Sequence, residues 1–280
     1  MSAQSPLMRR RLAKINAYVE VARTLKPARL PAGPQLVRDG KAVVFDARAR
    51  CLDVYVRAAG RWRKKLRLSG AAGLVPARCR AAAGALRVAY APGAGGLRGE
   101  ERLEWRFDAD EREAYLVRSV TLRNAGTRAV RTRAETGCRY FPEGALSDFT
   151  FVSFKWMGRK TNLGRYPDPG KGYTSARAGN QLFFNASGGL YAGAAYLDTE
   201  RDRVSETDKN GEQLFHHFAL AAPCAIRPGA TLSLTYVVFA GRGGEAHGGR
   251  LSNLLWRLNW ARDPGTHVPR PTSVRCGPIT

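Results

Sequence analysis

Acidic residues are scarce in this sequence. Its 280 residues contain 23 Asp and Glu against 46 Lys and Arg, which gives a formal net charge of +23. The excess is uneven, because residues 1–99 hold 21 basic and 4 acidic side chains, a net charge of +17. Such an excess favours a polyanionic partner: RNA, DNA, an acidic polysaccharide or an anionic membrane surface. The alternative is a solvated surface that is merely rich in arginine.

Cysteine and long apolar runs are also limited. The five cysteines form no CxxC pair and are odd in number, which argues against a disulfide framework and a structural zinc site. The default expectation for such cysteines is that they are buried free thiols in a reducing compartment, so we predict a cytoplasmic location. No run approaches the ~20 apolar residues of a membrane-spanning helix. Residues 1–30 lack the apolar segment of a secretory signal.

Motifs for common chemistries are missing. The sequence has no phosphate loop, no Ser/His/Asp order and no zinc spacing, so we predict no cofactor and assign no catalytic residue. The acidic stretch 198–208 has some likeness to a calcium loop, but Arg203 stands where such a loop needs glycine. A solvated turn is therefore favoured there, and no metal site is predicted. Whether the protein is an enzyme is left open.

The most informative stretch covers residues 114–133. Leu116, Val120 and Leu122 alternate with Ser119, Thr121 and Arg123, and only Arg118 interrupts the apolar face. A second alternating run covers residues 130–134, and Asn and Gly between the runs tolerate positive φ. The pattern predicts a β-hairpin that turns at residues 124–127.

Short runs typical of strands follow one another along most of the chain. They cover residues 42–46, 51–57, 61–68, 85–91, 101–107, 149–156, 181–185, 189–197, 213–221 and 231–240. This spacing predicts an all-β protein with one large antiparallel β-sandwich and a short helix at each end. We assign residues 1–30 to a basic N-terminal helix or arm, 31–246 to the sandwich, and 247–280 to a C-terminal helix and Pro-rich tail.

The N-terminal segment predicts an amphipathic helix over residues 7–25. Apolar residues from Met8 to Ala22 recur at steps of three and four. The helix could pack on the domain, serve as an organelle import signal, or act as an arm for an anionic surface. The candidate polyanion-binding residues are Arg9, Arg10, Arg11 and Lys14. Near the other end, Leu251, Leu254, Leu255 and Leu258 predict one face of a short helix that covers the sandwich or a partner.

Three segments together resemble a known family. Residues 43–68 form a strand-turn-strand unit, residues 115–134 a strand, R-N-x-G, strand unit, and residues 226–240 a Pro-Gly turn before a long strand. They resemble the galactose-mutarotase-like β-supersandwich of carbohydrate epimerases, polysaccharide lyases and many glycosidases. The resemblance covers residues 40–240 and implies a carbohydrate-interacting protein, either a binding module or a relative of an enzyme domain. In multidomain glycosidases the catalytic acids lie in a barrel that follows such a sandwich.

The candidate ligand-binding residues lie in two places. The segment 139–173 mixes aromatic and charged side chains outside any clean alternation, as suits sugar recognition or base stacking; its alternative is a loop that covers a sheet edge. His216 and His217 are adjacent in a predicted strand, so one of them faces inward and is either structural or part of a site. The ligand-binding candidates are Tyr140, Glu143, Asp148, Trp156, Arg159, Tyr166, Tyr173, His216 and His217.

Two functions therefore compete. The first is a carbohydrate-interacting supersandwich whose partner is a sugar, including an acidic polysaccharide. The second is a basic structural protein that contacts RNA in a ribonucleoprotein particle, because cationic side chains neutralise phosphates. A concave aromatic groove that contains acids favours carbohydrate, and a continuous basic face favours RNA.

Overall fold

The structure is a computed structural model. It describes residues 27, 29–141, 150–154, 161–165, 173–175, 181–183, 189–197, 203–210, 213–220, 222–243, 250–251, 254–255 and 257–258. Within 150–183 and 203–217 the description is of the backbone. The predicted N-terminal helix and its basic residues lie outside the described residues.

The described residues form antiparallel sheets, which confirms the predicted all-β sandwich. The strands are β1 Gln35–Arg38, β2 Lys41–Asp46, β3 Cys51–Ala58, β4 Arg61–Leu68, β5 Pro76–Ala82, β6 Ala85–Tyr90, β7 Leu97–Asp108, β8 Glu113–Asn124, β9 Val130–Thr132, β10 Thr136–Tyr140, β11 Thr150–Phe154, β12 Thr161–Arg165, β13 Tyr173–Ser175, β14 Gln181–Phe183, β15 Leu190–Tyr196, β16 Arg203–Asn210, β17 Gln213–Leu220, β18 Cys224–Ile226 and β19 Thr231–Arg242. A 3₁₀ turn, Ala94–Gly96, precedes β7.

Two large sheets carry the fold. The eight-stranded sheet has the order β1-β2-β3-β4-β10-β17-β16-β13, and the six-stranded sheet has the order β15-β19-β8-β7-β6-β5. Smaller sheets have the orders β12-β11-β14 and β18-β9. The main core draws on alternate residues of both large sheets, including Leu66 and Leu68 from one and Leu116, Val120 and Leu122 from the other. The apolar face predicted for residues 114–124, which lie in β8, therefore packs in the main core.

The prediction of a hairpin after this strand is wrong. β8 pairs with β7 along one edge and with β19 along the other, whereas β9 pairs with β18. Both edges of β8 are thus occupied, and the chain leaves the six-stranded sheet after Asn124.

Asn124 fixes this exit from the sheet. The side chain is fully buried, and its Nδ2 donates to the carbonyls of Arg128 at 2.7 Å and Ile226 at 2.8 Å. Its Oδ1 accepts from the N–H of Gly126 at 2.9 Å. The predicted turn residue Asn124 thus joins the end of β8 to the segment before β9 and to β18 through its side-chain amide.

Arg118 crosses the core between the two large sheets. Its Nε donates to Glu101 Oε2 at 2.8 Å within the six-stranded sheet. Its Nη1 donates to Thr136 Oγ1 at 3.0 Å, at the start of β10, and its Nη2 reaches the carbonyl of Ser69, which follows β4. Tyr90 completes the network by donating to Glu101 Oε2 at 2.6 Å. The residue that interrupts the apolar pattern of β8 therefore ties the sheets together.

Helical backbone occurs among residues 250–258 at the positions that the structure describes. Leu251, Leu254 and Leu255 are buried, and they pack with Tyr115 and Phe239 on the outer face of the six-stranded sheet. Within the described part of the chain, no helix has the length and apolar character needed to cross a bilayer.

We expect Arg118→Met to destabilise the protein by about 3–5 kcal/mol, because it leaves the Glu101 carboxylate buried without its cation. Urea unfolding measures the change. Arg123→Met on the same strand is the matched control, since Arg123 is exposed and its loss should change stability by less than about 0.5 kcal/mol. Adding Glu101→Gln to Arg118→Met should recover part of the loss. Equal effects of Arg118→Met and Arg123→Met would contradict the assigned role.

Candidate functional site

Most of the residues predicted to bind a ligand lie outside the part of the chain that the structure describes. Glu143, Asp148, Trp156, Arg159 and Tyr166 lie outside the described residues, as do the polyanion candidates near the N-terminus. Tyr140 is described, and it lies in the main core with 2% of its surface exposed. Its burial makes it a packing residue of the sandwich and not part of an open binding surface.

The backbone register brings three of the other candidates close together in the eight-stranded sheet. Tyr173 in β13 lies opposite Thr207 in β16, and Thr207 lies opposite His216 in β17. His216 in turn lies opposite Cys138 in β10, and His217 lies opposite Gly137. Tyr173 and His216 thus share one row of the sheet, although 43 positions separate them in the chain.

A charged cluster lies one row away, where β3, β4 and β10 pair. Asp53 lies opposite Arg67, and Arg67 lies opposite Arg139. Arg67 binds both oxygens of the buried Asp53 carboxylate, at 2.8 Å through Nε and 2.9 Å through Nη2, and Lys64 Nζ lies 2.7 Å from Oδ2. The Phe141 ring centre is 5.0 Å from the Arg139 guanidinium carbon and 5.5 Å from Lys64 Nζ. Three cations around one carboxylate give this cluster a positive surplus, and burial together with Arg67 lowers the pKa of Arg139.

One group among the described residues has the donor set of a metal site. It consists of Asp46, Cys51 and Asp53, whose donor atoms lie within 4.8 Å of one another. Lys64 and Arg67 already neutralise Asp53, and burial raises the pKa of the Cys51 thiol to about 12. A metal would have to displace two bound cationic groups and remove that proton, so the residues fit a metal poorly.

An open pocket of about 310 Å³ lies where the β1–β2 and β7–β8 turns meet β15 and the end of β19. We call it the Lys41 pocket. The two turns position its lining, since Asp39 and Arg112 hold left-handed backbone conformations with φ of 47° and 51°. The lining residues are Asp39, Lys41, Phe107, Arg112, Glu113, Ala114, Tyr191 and Arg242.

Lys41 forms the base of this pocket. Its buried ammonium group donates to a Glu113 carboxylate oxygen, to the Ala114 carbonyl at 2.7 Å and to the Tyr191 hydroxyl at 3.5 Å. An ammonium group has three donors, and these three acceptors use them all. Burial lowers the pKa of Lys41, whereas Glu113 opposes that shift.

Tyr191 is the third member of the group. Burial raises the pKa of its hydroxyl, and the neighbouring Glu113 carboxylate, to which the hydroxyl is hydrogen-bonded, raises it further. The phenol therefore stays neutral and acts as a donor. Gly241 makes room for it, because a Cβ at that position would lie 2.4 Å from the Tyr191 oxygen.

The rim of the pocket combines an aromatic ring with charged groups. Phe107 is 49% exposed, and the Arg38 guanidinium carbon lies 5.7 Å from its ring centre. Arg242 donates through Nε and Nη2 to the carbonyl of Arg57 at 2.9 and 2.8 Å, which fixes the plane of its guanidinium group. Asp39 and Arg112 are exposed beside them. The rim thus offers a surface for C–H groups together with donors and acceptors for hydroxyls.

The sequence analysis missed the Lys41 pocket. Its three buried polar residues are separated by 72 and 150 positions, so no local motif contains them. A signal does exist, since Lys41 and Glu113 are charged residues that each begin an apolar strand. The exposure of Phe107 could not be predicted, because alternation along a strand indicates that one face is exposed but does not show which one.

Comparison with solved structures identifies the fold. The Slr1438 protein from Synechocystis sp. PCC 6803 is 8% identical with a TM-score of 0.51, over 78% of this chain and 97% of that one. A TPR-domain containing protein from Parabacteroides distasonis ATCC 8503 is 10% identical with a TM-score of 0.50, over 73% of this chain and 46% of that one. A galactose mutarotase related enzyme from Lactobacillus acidophilus is 8% identical with a TM-score of 0.45, over 76% of this chain and 99% of that one.

The chain has the β-sandwich fold of the Slr1438 protein, in agreement with the predicted antiparallel sandwich. No protein-family model matches it, and no curated protein is similar to it in sequence. At these identities the likeness concerns the fold alone, and a fold of this kind does not specify a function.

We expect Tyr191→Phe to reduce the loss of stability in alkali. Above the ordinary tyrosine pKa of 10.0 the unfolded chain ionises at this position while the folded chain does not, so rising pH favours unfolding. The free energy of unfolding of the unmodified protein should therefore fall more steeply above that pH, by up to about 1.4 kcal/mol per pH unit. Parallel slopes for the two proteins in urea titrations would show that Tyr191 ionises normally in the folded state.

Proposed function

We propose that the protein is a carbohydrate-binding module that holds one sugar unit in the Lys41 pocket. The observation that carries the proposal is the pairing of a half-exposed aromatic ring, Phe107, with fixed charged groups around an open cavity. Its volume of about 310 Å³ lies at the lower end of the usual range for small-molecule sites and suits a single sugar ring.

The chemistry of the rim supports a sugar as the ligand. One face of a pyranose presents C–H groups, which can pack on the Phe107 ring, while its hydroxyls both donate and accept hydrogen bonds. Asp39 offers an acceptor, and the guanidinium groups of Arg112 and Arg242 offer donors. Hydrogen bonds to ionised groups are about twice as strong as neutral ones, which suits a ligand made mostly of hydroxyls.

The base of the pocket favours binding over catalysis. The Lys41 ammonium group donates its hydrogen bonds to Glu113, Ala114 and Tyr191. The Tyr191 hydroxyl is neutral and donates to Glu113. A general base needs an open lone pair within reach of the substrate. These three groups instead neutralise and orient one another, so they support the shape of the cavity.

The charge of the lining favours an acidic sugar. Three cations, Lys41, Arg112 and Arg242, face two acids, Asp39 and Glu113, and Glu113 is committed to Lys41. The two rim arginines therefore exceed the one rim acid. A uronic acid would place its carboxylate toward the guanidinium groups, which bind carboxylates in a two-point geometry.

We expect Phe107→Ala to weaken sugar binding by about 2- to 12-fold, since a contact with an aromatic ring contributes about 0.5–1.5 kcal/mol. Isothermal titration with glucuronic acid, glucose and galactose measures the change, and glucuronic acid should bind best.

Val75→Ala is the matched control, because Val75 is 43% exposed and lies outside the pocket. Both variants should unfold at the same urea concentration as the unmodified protein. If the three sugars bind the unmodified protein no better than Phe107→Ala, the Lys41 pocket is not a sugar site.

A further inference from the structure

Arginines stand directly opposite one another on the outer face of the six-stranded sheet. Arg80 in β5 pairs with Arg87 in β6, and Arg87 pairs with Arg102 in β7. We call these three residues the arginine ladder. A second like-charged pair, Arg98 with Arg123, occurs further along the same face between β7 and β8. All five side chains are exposed.

The fold does not require this arrangement. Leu86, Val88 and Leu103 on the same strands point inward and are almost completely buried, so the inner face satisfies the core. Neighbouring strands lie about 4.8 Å apart, and like charges directly opposite each other destabilise a sheet. Glu104 reduces the repulsion between the ladder arginines in part, because it forms an ion pair with Arg102 at 2.8 Å. It also forms an ion pair with Arg106, so its charge is shared. The ladder therefore keeps a local repulsion that a bound anion would remove.

We infer that the arginine ladder binds an extended acidic polysaccharide, at a surface separate from the Lys41 pocket. Guanidinium groups in a row across three strands match a polymer that carries carboxylates or sulfates at regular intervals, because each group binds such an anion through two parallel hydrogen bonds. The helix of residues 250–258 packs near Tyr115 and Phe239 on this face, whereas the ladder side chains are exposed. A row of exposed side chains on a sheet suits a long chain better than a small molecule.

The composition of the face favours a glycan over a single-stranded nucleic acid. The outward residues that flank the ladder on its three strands are Arg78, Ala82, Ala85, Ala89, Glu100 and Glu104. None is aromatic, and single-stranded nucleic acids are usually held by stacking of their bases on aromatic rings. Recognition at the ladder would therefore depend on the anionic groups of the ligand alone. An acidic glycan presents such groups and has no bases that need stacking partners.

The test compares two triple variants of the full chain. The first is Arg80→Gln/Arg87→Gln/Arg102→Gln. The matched control is Arg48→Gln/Arg61→Gln/Arg131→Gln, which removes the same charge from exposed arginines elsewhere. The probes are polygalacturonate, dextran sulfate, neutral dextran and a single-stranded RNA oligonucleotide, and binding is measured over a range of salt concentrations.

We expect the unmodified protein to bind polygalacturonate or dextran sulfate and to show no binding of neutral dextran. The ladder variant should lose at least about 10-fold in affinity, and the slope of log K against log salt should become shallower by about 2–3, since each neutralised anion contributes close to one unit. The control variant should change the slope by less than about one unit. The ladder variant should also be at least as stable in urea as the unmodified protein, because it removes a repulsion.

Three results would overturn the inference. Equal losses in the two variants would show that overall charge, and not the ladder, determines binding. An unchanged affinity of the ladder variant would show that the polymer binds elsewhere. Ladder-dependent binding of RNA without binding of either acidic glycan would show that the partner is a nucleic acid. Phe107→Ala should leave glycan binding at the ladder unchanged, so failure of the Lys41 pocket and failure of the ladder can be told apart.

Discussion

The ion pair between Arg118 and Glu101 is the constraint on which the sandwich depends. An apolar side chain at position 118 could pack in the core but would make no hydrogen bonds, whereas the guanidinium group binds Glu101 in its own sheet and reaches Ser69 and Thr136 at strand ends of the other. A buried ion pair repays the cost of its desolvation only with good geometry and additional hydrogen bonds, and this network supplies both. The same rule holds at Asp53 and at Glu113, each of which is buried beside a cation. The buried cations Lys41, Lys64 and Arg118 each pair with one of these three acids.

The alternation of apolar and polar residues was sufficient to predict the class of the fold and many of its strands. Residues 61–68 were predicted as a strand with the bounds of β4, and the inward face of β8 was predicted correctly apart from Arg118. Pairing could not be predicted in the same way, because the residues of β8 that suggest a local hairpin partner are equally suited to β19, more than a hundred positions away. Strand β5, rich in Arg and Ala, was missed because a strand at the end of a sheet needs little apolar surface.

The candidate site was harder to predict than the fold for a related reason. The Lys41 pocket arises where two turns meet two distant strands, so its lining is set by tertiary structure and not by local pattern. A charged residue at the start of an apolar strand is normally a solvated end, and only the packing of Tyr191 and Glu113 against Lys41 makes this one buried. The segment 139–173 suggests a binding loop because its composition is unusual. Tyr140 within it shows that an aromatic residue of such a segment can belong to the core.

The position of β5 at the end of the six-stranded sheet has one more consequence. A strand in that position offers backbone N–H and C=O groups to any other extended chain, and soluble β-proteins protect such strands with charge. Arg78 and Arg80 place two exposed cations within three residues of β5, so a second copy of this protein would have to bring like charges together in order to extend the sheet. The exposed cations of β5 therefore disfavour edge-to-edge pairing between two copies of the chain.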